Sequence, residues 1–143
     1  MIHKRGFTLI ELLVVVAIIA VLSVIGLTIF TGVQKGARDA RRKSDMEAIS
    51  KALEVNYNNS SCGASTSSPY CNVNSYPTVL FSSGSVPSNP SPGGAAYSGI
   101  PSAAGSTYTV CANLETSTGN YNDAGSSANS TNTGSYYCRK NQQ

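Results

Sequence analysis

The chain has 143 residues, a formal charge of +3, a mean hydropathy of -0.09 and 12% charged side chains, about half the charged share of an ordinary soluble domain. Its sole histidine is His3, it has no tryptophan, and from Val55 to Cys138 only Glu115 and Asp123 carry charge, which excludes a histidine-based catalytic centre in the body of the chain. The modest net charge argues against a strongly basic nucleic-acid binder, so no direct nucleic-acid binding is expected. The averages conceal two unlike segments joined near residue 57: more than half of the charged side chains lie between Lys35 and Glu54.

Residues Leu12 to Val33 (LLVVVAIIAVLSVIGLTIFTGV) contain no charge and are overwhelmingly apolar. As a helix they reach about 33 Å, enough to cross a bilayer core. A chain this short has nothing large enough to bury such a helix on all sides, so the segment is read as a membrane span. An ordinary secretory signal puts its small-residue cleavage site after the apolar run; here Gly6 precedes it. Glu11 interrupts the longer apolar stretch that begins at Phe7, where a carboxylate costs about 3 kcal/mol or more. It either snorkels to the interface or has a defined charged partner.

The sequence Lys4-Arg5-Gly6 followed by Phe7-Thr8-Leu9-Ile10-Glu11-Leu12-Leu13-Val14-Val15 resembles the processing signal of type IV pilins and the related pseudopilins. The resemblance covers about the first thirty residues. It implies that a prepilin peptidase cuts between Gly6 and Phe7 and N-methylates the new Phe7 amine. It also makes Glu11 the assembly glutamate, paired with that amine in the same or an adjacent subunit. Opposite charges attract far more strongly in low dielectric than in water, and pairing removes the penalty on an isolated buried carboxylate. The implied partners are further copies in a helical homo-oligomer, the prepilin peptidase, the pilus assembly platform with its ATPase, and the membrane. Counting basic residues, Lys35, Arg38, Arg41, Arg42 and Lys43 beyond the span outnumber Lys4 and Arg5 before it, which by itself would place the body in the cytoplasm. The family orientation is the reverse, with the leader cytoplasmic and the body outside, and the cysteines favour it.

From Gln34 the helical pattern continues without proline to about Tyr57, so Phe7–Tyr57 is expected to form one helix of about 75 Å. Met46, Ile49, Leu53 and Tyr57 make one apolar stripe, beside Ala48 and Ala52. Asp39/Lys43, Arg41/Asp45, Lys43/Glu47 and Glu47/Lys51 stand at i,i+4 and predict a solvated face laced by ion pairs. The interleaved acids count against reading Arg38, Arg41, Arg42 and Lys43 as a DNA-binding patch. No proline kinks the span; Gly26 and Thr28 are the nearest weak points.

Beyond the helix, Ser, Thr, Asn and Gly exceed half of the residues, and all six prolines fall between Pro69 and Pro101. Thr78–Phe81 (TVLF), Ser106–Leu114 and Ser135–Arg139 are the readable strands. A small antiparallel sheet of three or four strands is expected, with Met46, Ile49 and Leu53 supplying much of its core. The body itself contributes Val73, Val79, Leu80, Phe81, Val86, Ile100, Val110 and Leu114. So thin a core calls for staples. Cys62, Cys71, Cys111 and Cys138 permit three connectivities. Cys62–Cys71 would close a short loop, and Cys111–Cys138 would tie the late strands, resembling the C-terminal disulfide loop of pilins. Zinc is the rival reading, but no CxxC knuckle or nearby histidine accompanies them.

Enzymatic readings have little to stand on, and no catalytic residue, cofactor or metal is expected. Glu115 reads as a surface charge and Asp123 as a turn residue, with nothing to orient them as a carboxylate pair. Asp123 is a weak calcium candidate, since calcium usually draws on more than one carboxylate. Segments 82–105 and 116–137 read as a neutral, hydroxyl-rich coat with exposed tyrosines; Asn58, Asn59 and Asn129 fit a glycosylation pattern. The expected fold class is α+β and pilin-like, one long N-terminal helix packed on a small antiparallel sheet. The expected organisation is leader 1–6, apolar assembly helix 7–33, amphipathic continuation 34–57 and stapled body 58–143. The expected function is that of a type IV pilus subunit, a single-pass membrane precursor that assembles into an extracellular filament for adhesion, twitching motility or DNA uptake. A type II secretion pseudopilin is the nearest alternative, and a non-polymerising single-span surface domain another. Removing Lys4 and Arg5 with the leader leaves eight cationic side chains against seven anionic ones.

Overall fold

A proline-free run of Leu, Val, Ile and Ala followed by alternating charges forms α1 (Leu9–Val55) in the computed structural model. The structure describes residues 6–91, 93–94, 97–99, 106–124 and 133–142, and omits the side chain of Thr28. The chain divides into two compact units between Lys35 and Gly36. In the first, the described side chains of α1 up to Val33 are exposed, and the helix is long and apolar enough to cross a membrane. Its hydroxyl at Ser23 donates to the Ile19 carbonyl at 2.7 Å, a local bond that removes a donor which lipid would leave unpaired.

In the second unit, residues 36–55 of α1 pack against the body. Asparagines end the helix: Asn56 Nδ2 donates to the Ala52 carbonyl at 2.9 Å, and Asn58 turns the chain with φ 58°, a left-handed conformation that asparagine tolerates. Asn59 then caps a 3₁₀ turn, Ser60–Cys62, by accepting from Ser61 N–H. Its amide also donates to Asn56 Oδ1 at 2.8 Å, so it is part of the turn's framework. Asn129 lies outside the described residues.

Of the segment Thr78–Phe81, expected as a strand, Thr78–Leu80 instead belongs to a short helix, α2 (Pro77–Leu80), with Phe81 its extended C-cap. Pro77 stands at its first position, where the fixed φ and missing N–H suit a helix start, and Leu80 turns inward. Two strands form among the described residues, β1 (Thr109–Asn113) and β2 (Tyr136–Lys140), paired antiparallel with Cys111 opposite Cys138. The sheet therefore has two strands where three or four were expected. What would have been neighbouring strands contribute only isolated bridges, Ser98 to Cys111, Gly119 to Gly134 and Tyr121 to Tyr136.

Side chains alternate across the pair as a pleat requires. Val110 and Ala112 join Met46, Ile49 and Leu53 of α1 in the main core, and Cys111 joins Cys138 and Tyr121 on the other side. Met46, Ile49 and Leu53 have no solvent exposure. Val79, expected in the core, is exposed, and Ile100 lies outside the described residues. Tyrosine supplies the missing volume: Tyr70, Tyr97, Tyr108 and Tyr121 are buried, although the sequence placed tyrosines on the surface. Tyr70 meets Tyr57 and Tyr108 edge to face, with ring centroids 5.3 and 4.8 Å apart, a geometry worth about 1 kcal/mol per pair beyond area burial. Disulfides join Cys62 to Cys71 and Cys111 to Cys138.

Candidate processing and assembly site

Gly6, Phe7 and Thr8 lie outside the helix and are exposed. The helical ladder begins at the Thr8 carbonyl, which accepts from Leu12 N–H at 3.3 Å. Thr8 Oγ1 accepts from Glu11 N–H at 3.3 Å and donates to Glu11 Oε2 at 3.0 Å, while Thr8 N–H donates to the same carboxylate oxygen at 3.1 Å. This is a complete capping box, Thr at the N-cap and Glu at the third helical position, each satisfying the other's orphan N–H. Glu11 thus has partners within its own chain, one residue from the amine that a cut at Gly6–Phe7 would create. A carboxylate at this position also complements the positive end of the helix dipole. Lys4 and Arg5 lie outside the described residues. The pattern Thr8-x-x-Glu11 before an apolar run is itself a legible sequence signal of such a box.

The charges that follow the span are not a solvated ladder. Asp39 and Arg42 are 3% and 4% exposed and bond to each other at 2.6 Å. Asp39 also accepts from the backbone N–H of Glu115 and Thr116 and from the Thr116 hydroxyl, at 2.9, 2.8 and 2.6 Å. Glu115 receives a two-pronged bond from Arg38 at 2.7 and 2.5 Å, a bond from Arg42 at 2.8 Å and one from Ser91 at 3.2 Å. Asp45 accepts from Tyr97, Glu47 from Tyr137, and Glu54 from Tyr108 and Gln142 N–H. Lys43 reaches Thr118 and lies over the Tyr137 ring. The carboxylates of α1 in this unit are therefore turned toward the body.

These contacts shift the ionisation of Glu115, Asp39, Tyr97 and Tyr108. The Arg38 fork, helped by Arg42 and Ser91, holds the Glu115 carboxyl down at about 2. Burial would raise Asp39, but the bonds from Thr116, Glu115 N–H and Arg42 outweigh it and hold its carboxyl below the ordinary range. Burial, with the neighbouring carboxylates Asp45 and Glu54, pushes the Tyr97 and Tyr108 hydroxyls well up. The signal for this cluster was present in the sequence. Stepping the Met46–Ile49–Leu53 stripe back by four and three residues lands on Arg42 and Asp39, and Glu115 is an isolated carboxylate in a neutral stretch.

Asp123 is exposed beside residues 125–132, which lie outside the described residues. Among the described residues no group of three His, Cys, Asp or Glu side chains is placed to hold a metal ion.

Residues 1–27 match the family model described as the prokaryotic N-terminal methylation motif. A search of curated proteins and a search of solved structures each returned no match. The matched segment contains Gly6, Phe7, the capping box and most of the apolar run. The chain therefore carries the prepilin-type signal of the kind found at the head of type IV pilins and pseudopilins.

Proposed function

We propose that the protein is a type IV pilus subunit, cut between Gly6 and Phe7, methylated on the new Phe7 amine, and polymerised through residues 7–33 with Glu11 as the assembly carboxylate. The observation that carries this reading is the wholly exposed apolar helix directly behind the processing signal. In water such a surface is untenable, and bilayer and filament each supply a cover. The body, with its two disulfides, belongs to an oxidising compartment outside the cytoplasmic membrane. Force, adhesion, motility or DNA uptake then reside in the filament and its motors.

Gene deletion followed by electron microscopy of surface filaments and a secretion assay tests the reading. Lost filaments with intact secretion are expected; intact filaments with lost secretion would assign the chain to a pseudopilus. Glu11→Ala is expected to leave the precursor expressed and inserted but to impair assembly, and normal filaments from it would refute the role given to Glu11. An intact mass with Met1 retained and Phe7 unmethylated would instead indicate a non-polymerising surface domain.

A further inference from the structure

We propose that Thr8 is a positioning residue for the cut at Gly6–Phe7: its capping box holds the start of α1 downstream of the scissile bond, so that the Gly6 carbonyl stays out of the helical ladder. This rests on the reading of Gly6–Phe7 as the processing site. Helix growth by two residues would place Glu11 N–H on the Phe7 carbonyl and Ile10 N–H on the Gly6 carbonyl. In the structure Glu11 N–H is taken by Thr8 Oγ1 instead, and the ladder opens at the Thr8 carbonyl. Of the residues just upstream, Gly6 is the one that caps acceptably.

Loss of the Thr8 hydroxyl would therefore shift the cap to Gly6. The pressure to do so is strong near lipid, where an unpaired N–H is expensive. Once Gly6 is the cap, its carbonyl accepts a helical hydrogen bond. That oxygen is the one a peptidase must polarise with its own donors as the carbonyl is attacked. The helical form is then unreactive, and the apparent affinity falls in proportion to the fraction of chains that remain extended there. The role is conformational, so turnover of correctly bound chains is unchanged.

The experiment uses the full-length chain in lipid vesicles with a prepilin peptidase, comparing wild type, Thr8→Ser and Thr8→Val. Thr8→Val keeps the shape and removes the hydroxyl; Thr8→Ser restores it. For Thr8→Val, KM should rise, by at most about fivefold, the full weight of one lost N-cap, while kcat holds and Thr8→Ser returns KM to the wild-type value. In parallel, the carbonyl carbon shift of labelled Gly6 and amide exchange at Ile10 should become helical in Thr8→Val and not in Thr8→Ser. Equal KM for all three chains, or an unmoved helix start in Thr8→Val, would overturn the inference while leaving the processing site intact. Wild-type chain that is not cut at Gly6–Phe7 would overturn the reading it rests on, and the inference with it.

Discussion

Replacing Asp39 with alanine is the most informative single perturbation of the second unit. The carboxylate is 3% exposed and accepts four hydrogen bonds, from Arg42, from the N–H groups of Glu115 and Thr116, and from the Thr116 hydroxyl. Alanine leaves three neutral donors without their acceptor, at about 1 kcal/mol net each. It also weakens the environment of the buried Arg42 guanidinium, which keeps Glu115, Ser91 and Asn89 as partners and so is not abandoned outright. Breaking one side of a buried ion pair costs about 3–5 kcal/mol, and the retained partners put Asp39→Ala near the lower end, about 3 kcal/mol. A typical domain has about 5–15 kcal/mol to lose. Urea unfolding of the full-length chain in mild detergent, followed by tyrosine near-ultraviolet circular dichroism with the disulfides intact, reads the effect. The midpoint should fall by about 1.5–2 M at a slope typical of small proteins. A loss below about 1 kcal/mol would refute the argument that this carboxylate, rather than the apolar stripe alone, fastens loop 113–119 to α1.

The same cluster predicts acid sensitivity. Glu115 is held at about 2 against an ordinary 4.5, so its contribution is complete above pH 4.5 and is lost as the pH falls from there toward 2. Asp39, also lowered, acts in the same direction, so stability measured in steps from pH 6 to pH 2 should fall on acidification, and Glu115→Gln should flatten that slope. Two glycines offer a contrasting pair. A Cβ on Gly134 would press into the Tyr121 backbone carbonyl, whereas one on Gly36 meets open space on α1. Gly134→Ala is expected to destabilise by about 1–3 kcal/mol and Gly36→Ala to stabilise by about 0.5–1 kcal/mol. Thermal unfolding of both chains would sink this account if the two shifts had the same sign.

Much of the architecture is legible residue by residue because its causes are local. The run from Leu12 to Val33 is long and apolar enough to cross a membrane, and it has no polar face to give to water. The three-and-four spacing of Met46, Ile49 and Leu53 picks out the buried face of α1. The Lys4–Val15 motif names the processing signal, and the alternation in 106–114 and 135–139 locates both strands.

Tertiary structure decided what depends on partners distant in the chain. The i,i+4 charges of α1 look self-sufficient in sequence, yet Arg38 and Arg42 find Glu115 more than seventy positions away. A partly desolvated fork with several bonds outcompetes exposed pairs worth a few tenths of a kcal/mol. TVLF has strand composition, but Pro77 starts a helix there and Leu80 is drawn into the core. Tyr97, which composition assigns to a polar coat, is buried because Asp45 of α1 accepts its hydroxyl, and a buried phenol is tolerable only when its O–H is satisfied. Sequence thus determined the helix, its apolar half and the signal at its head; only the folded chain decided where the charges of its other half would go.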